Sequence, residues 1–154
     1  MPLPIYIICS ESGTEDRYTG LMSHFNVLEK FLLSKIDPSK VSQLPQPAPA
    51  IPLGRIRVVS VWMKMDEESE DDEFEYSLDV VLPPDGKRTC ASTGKFKFTK
   101  PLYRIQINLI GQPPIEGSGV LWIECNVRQL ASDSWMAQRY PIIIELQSNE
   151  SNSS

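Results

Sequence analysis

The sequence is poor in the side chains on which most catalytic and metal sites depend. It has one histidine, His24, and three cysteines, Cys9, Cys90 and Cys125, with no Cys-x-x-Cys pair. That set excludes a zinc site of the usual ligand spacing. No apolar stretch approaches the roughly 18 residues of a membrane span. The first ten residues lack the basic region and long apolar run of a signal peptide. The 15 basic residues are scattered among 20 acidic ones for a net charge of −5, which argues against a nucleic-acid partner, because phosphate backbones are gripped by clustered Lys and Arg. The glycines form neither a phosphate loop nor a dinucleotide fingerprint. Ser10-Glu11-Ser12-Gly13 is not the Gly-x-Ser-x-Gly of a nucleophile elbow. No cofactor is indicated, and His24, placed between Met22 and Phe25, needs no chemistry to explain it. An enzyme of unfamiliar type, built from scattered residues, is left as a lesser alternative.

What the chain does have is period-2 alternation, the mark of a strand with one buried face. Phe74, Tyr76, Leu78, Val80 and Leu82 alternate with Glu75, Ser77, Asp79 and Val81, and Tyr103, Ile105, Ile107 and Leu109 with Arg104, Gln106 and Asn108. Leu121, Ile123, Cys125 and Val127 follow the same rule, with Trp122, Glu124 and Asn126 between them. Phe96 and Phe98 are set among lysines, and a last strand over Arg139–Leu146 places Ile142, Ile144 and Leu146 inward. In Arg55–Met65 the apolar face changes from Ile56 and Val58 to Val59, Val61, Met63 and Met65. A one-residue slip flips every side chain, so this strand either bulges near Val58–Ser60 or is buried on both faces. Turn chemistry separates the runs, most clearly at Pro83-Pro84-Asp85-Gly86.

The spacing of strands and turns predicts an all-β fold: an antiparallel β-sandwich of 7–9 strands, immunoglobulin-like or related in topology. One segment is ambiguous. Leu21–Val27 reads as a strand and an irregular strand is preferred after it, but Asn26-x-x-Glu29 could cap a short helix over Val27–Ser34. Residues 1–147 are expected to form one domain. Pro38–Gly54, with five prolines, is a surface crossover within it, and 148–154 a disordered polar tail. The cysteines lie among apolar residues and read as reduced and buried, which places the protein in the cytoplasm.

Two features could carry function. The acidic run 66–73 joins two strong strands and so reads as a hairpin loop. It is either solvated charge or, in the alternative, part of a calcium-dependent, C2-like module with Asp66, Asp71 and Asp72 as ligands. The second feature is aromatic. Trp62 belongs to the core, but Trp122 faces outward on its strand. If that strand pairs with the last one, Ile143 shares the same outward face. With Trp135 from the loop between them, these residues would form a surface for a protein partner or for self-association. The alternative is that both faces of this sheet are covered. The best reading is a non-catalytic protein-interaction or self-assembly module.

Ile5-Tyr6-Ile7-Ile8-Cys9, a polar loop and Gly20-Leu21-Met22-Ser23-His24-Phe25-Asn26-Val27, with Ile56-Arg57-Val58-Val59, Pro84-Asp85-Gly86 and Tyr140-Pro141-Ile142-Ile143, carry a further signal. In this outline the chain resembles an uncharacterised bacterial and phage-associated β-sandwich family of unknown function. The resemblance spans nearly the whole chain, implies a compact sandwich of this size and supports the strand reading of Leu21–Val27. It brings no site residues with it.

Overall fold

A computed structural model describes residues 1–34, 55–110 and 115–147; the expected crossover and tail lie outside them. Among the described residues there are nine strands and no helix. They are β1 (Leu3–Glu15), β2 (Met22–Val27), β3 (Lys30–Ser34), β4 (Ile56–Met63), β5 (Phe74–Leu82), β6 (Lys87–Phe96), β7 (Leu102–Leu109), β8 (Gly119–Gln129) and β9 (Met136–Gln147). One sheet has the order β2-β1-β4-β7 and the other β3-β9-β8-β5-β6. Every pairing is antiparallel except that of β3 with β9. With β1, β4 and β7 as strands A, B and E, and β5, β6, β8 and β9 as C, C′, F and G, the order is that of an immunoglobulin-type sandwich. The ambiguous segment is thus two strands in different sheets. Asn26 takes a left-handed conformation (φ 54°) just before the chain leaves the first sheet for the second.

The core forms where the inner faces meet. Ile56, Val58, Trp62, Ile105 and Leu109 of one sheet pack against Leu78, Val80, Leu121, Ile123, Val127, Ile142 and Ile144 of the other. At one end Phe74, Phe96, Phe98 and Tyr103 close the sandwich, with Phe96 and Tyr103 stacked at 4.0 Å and Phe74 edge-on to Phe98 at 5.1 Å. Polar groups also enter. Ser60 donates to Gln138 Oε1 (3.1 Å), Trp62 Nε1 donates to Ser60 Oγ (2.8 Å), and Gln138 Nε2 donates to the Val61 carbonyl (3.0 Å). All three side chains are buried, and each bond discharges a polar group that burial would otherwise penalise. Cys125 on β8 lies against Ser60 and Trp62, and burial pushes its thiol up to about 11.

β4 keeps a regular register with β7 from Ile56 opposite Leu109 to Met63 opposite Leu102. No bulge interrupts that pairing; the strand is buried on both faces instead, Val59 and Val61 as fully as Val58. The covering element is the second half of β1 with β2. Tyr6, Val61 and Arg104 stand side by side on the outer face. A straight strand would carry Glu15, nine residues further on, about 30 Å away. Yet Arg104 bonds Glu15 Oε1 (2.5 Å) and the Gly20 carbonyl (2.7 Å), and the His24 ring is 6.5 Å from that of Tyr6. The β1–β2 hairpin therefore curls back over the sheet as an arm.

Two expectations are corrected. The acidic loop joins β4 to β5, which lie in different sheets, so it crosses the sandwich and is not a hairpin. Adjacent strong strands in sequence need not pair when each already has two other neighbours. Cys90 is exposed, unlike buried Cys9 and Cys125, because β6 is the edge strand of its sheet among the described residues.

Candidate functional site

Along β8 the outward side chains are Trp122, Glu124, Asn126 and Arg128, and the register sets their neighbours. Trp122 lies opposite Val81 on β5 and Pro141 on β9; Glu124 lies opposite Asp79 and Arg139. One row further, Val120 faces Ile143, which in turn faces Lys30 of β3. The outer face of the five-stranded sheet thus divides along its strands.

Its first part is apolar. Ile143 is 50% exposed, Val120 40% and Leu32 56%, flanked by exposed Pro141 and half-buried Trp122 and Val81. Lys30 and Glu145 pair beside them. Neighbouring apolar side chains held open on a flat strand surface cannot be covered by their own sheet, since their direction is set by the pleat.

The middle of the face is charged. Arg88 Nη1 reaches Asp79 Oδ2 (2.9 Å) and Glu124 Oε2 (2.5 Å), while Arg139 Nη2 reaches Glu124 Oε1 (2.7 Å). Asn126 adds a bond to Asp79 (3.3 Å). Glu124 and Asp79 are buried, and two guanidinium groups neutralise them there; Glu124 above all holds Arg88 in its charged form, its pKa raised further. These carboxylates are committed to structure. Cys90 lies beside Asp79, and partial burial and that negative charge push its thiol up, the opposite of what a nucleophilic cysteine needs.

Trp122 and Ile143 come to one face, but Trp135 is elsewhere. The Trp135 ring stacks on Arg128, with Cζ 4.7 Å from the centroid, whereas Trp122 has Arg139 over it at 6.0 Å. Arg128 is six residues along β8 from Trp122, about 20 Å in a strand, and the charged cluster lies between. Leu32, Val120 and Pro141 were not singled out from the sequence. Leu32 joins the patch only because β3 runs parallel to β9, a long-range pairing with no local signal.

Asp66 and Asp71 are exposed in the crossing loop. Asp72 accepts from the Ser69 N–H (2.8 Å), and buried Glu68 accepts from the Met65 N–H (2.9 Å) and meets the Met1 amino group at 3.0 Å. Among the described residues no three acidic, His or Cys side chains converge as metal ligands would.

No family model matches this sequence, and no curated protein is similar to it.

Proposed function

We propose that the protein is a non-catalytic interaction module that binds a protein partner, or a second copy of itself, through the outer face of the five-stranded sheet. The observation that carries this reading is the open patch of Leu32, Val120 and Ile143 beside Trp122 and Pro141. Aromatic and aliphatic groups held rigidly on a sheet lose little side-chain freedom on binding, and the Lys30–Glu145 and Arg139–Glu124 pairs give the patch a polar rim. The ionisable groups of this face support the same reading: Asp79 and Glu124 are neutralised by arginines, and partial burial and the Asp79 charge push the Cys90 thiol up. Arg88, Arg104, Arg128 and Arg139 are paired with carboxylates, and the net charge of −5 does not favour a nucleic-acid partner. Among the described residues no helix is long and apolar enough to cross a membrane. Three unpaired cysteines suit a reducing compartment; with the family resemblance, that favours the bacterial cytoplasm.

Sedimentation equilibrium of the wild type and Ile143→Asp tests the self-association arm, and capture of a partner from the native host by each tests the other. Ile143 is half exposed, so the substitution leaves folding intact. Loss of dimer or partner with an unchanged melting temperature supports the proposal. A variant that associates as the wild type does would refute it.

A further inference from the structure

The outer face of the four-stranded sheet holds a group whose hydrogen bonding the fold leaves incomplete. Arg57 is the one charged residue of β4, and beneath the β1–β2 arm it is only 6% exposed. Its Nη1 rests on Gly13, where a Cβ would lie 1.7 Å from it. Its Nη2 donates to Gln106 Oε1 at 3.1 Å. Buried Nε and Nη1 meet no acceptor, and the buried Nδ1 of His24, on β2 of the arm, has no partner either. Arginine cannot shed its proton, so those donors stay charged and unmet. The acidic side chains of the arm are engaged elsewhere, Glu15 with Arg104, Glu11 with Asn26 and Asp16 with the Tyr18 and Thr19 N–H groups.

The N–H bonds of Nε and Nη2 run side by side along one edge of a guanidinium, a fork that matches two oxygens of a carboxylate or phosphate. In Arg57 one prong holds the neutral amide oxygen of Gln106 and the other holds nothing. Gln106 is an exposed residue, so its side chain can swing into solvent without disturbing the core. We propose that Arg57 anchors an oxyanion site, in which a carboxylate or phosphate group takes the place of the Gln106 amide on the Nε–Nη2 edge, between the arm and the sheet. The site lies on the opposite face of the sandwich from the Ile143 patch and does not depend on it.

Thermal melts at pH 7.5 and constant ionic strength, in sodium chloride, acetate or phosphate, test this on the wild type, Arg57→Gln and Gln106→Glu. The wild type shows a saturable rise in acetate or in phosphate over chloride, about 5–10 °C at a hundredfold excess over the dissociation constant. The salt that acts tells a carboxylate site from a phosphate site. Gln106→Glu places a carboxylate of the same shape on the fork from within, so it melts above the wild type in chloride and no longer responds. Arg57→Gln responds to neither anion. The proposal is overturned if the wild type does not respond, if Arg57→Gln responds equally, or if Gln106→Glu keeps both the wild-type melting temperature and its response. Should Arg57→Gln not fold, Gln106→Glu decides alone.

Discussion

Ser60 sits where the two sheets meet, and replacing it with alanine measures what the buried polar network contributes. The hydroxyl accepts from Trp62 Nε1 and donates to Gln138 Oε1. In Ser60→Ala the indole N–H, fully buried, loses its acceptor and the amide oxygen its donor, while Gln138 Nε2 keeps the Val61 carbonyl. Each buried group left unpaired costs about 1–3 kcal/mol, so the variant, with two such groups, should lose about 2–6 kcal/mol, or about 4–24 °C at this chain length. Urea unfolding followed by tryptophan fluorescence reads the loss, and a cycle with Trp62→Phe isolates the pair, since neighbouring groups couple by up to a few kcal/mol. A loss below about 0.5 kcal/mol would show that the network does not hold the sheets together.

In Gly13→Ala the new methyl would lie 1.7 Å from Arg57 Nη1 and 2.5 Å from the Ser23 carbonyl. Backbone cannot swing aside as a long side chain can, so the arm must lift, at a cost of about 1–3 kcal/mol read by denaturant titration. Burial and then the Arg57 charge hold the pKa of His24 below its usual value of 6.5. The unfolded chain therefore takes up the proton first: the contribution of His24 is complete above that value, falls as the pH drops toward the folded pKa, and is level below it. Unfolding titrations at pH 7.5 and 5.0 should show a larger acid loss in the wild type than in His24→Gln, and equal losses would remove His24 as the cause. Native protein at pH 8 should label with a thiol reagent at Cys90 alone, since Cys90 is exposed whereas Cys9 and Cys125 are buried out of the reagent's reach; guanidinium should then release the other two.

Two-residue alternation made β5, β7, β8 and β9 and their faces legible in the sequence, while β6 and the second half of β1 carried no such signal. Alternation put Leu121, Ile123, Cys125 and Val127 inward, and the structure buries all four; it turned Trp122 and Ile143 outward for the same reason, the two-residue period of the pleat. The apolar slip in Arg55–Met65 left a bulge or burial on both faces open, and the structure shows the second. Which element did the burying was not legible, because a hairpin arm folding over a sheet depends on Arg104 meeting Glu15 and Gly20, residues 89 and 84 positions apart. Only the packing shows that the Arg57 guanidinium lies on Gly13 and that the chain turns toward the second sheet after Asn26. Tertiary structure alone likewise parted Trp135 from Trp122, made the acidic run a crossing between sheets, and neutralised Asp79 and Glu124 with Arg88 and Arg139. Local spacing fixes the direction of a side chain; what it meets there depends on strands far away in the chain, and no short-range pattern records them.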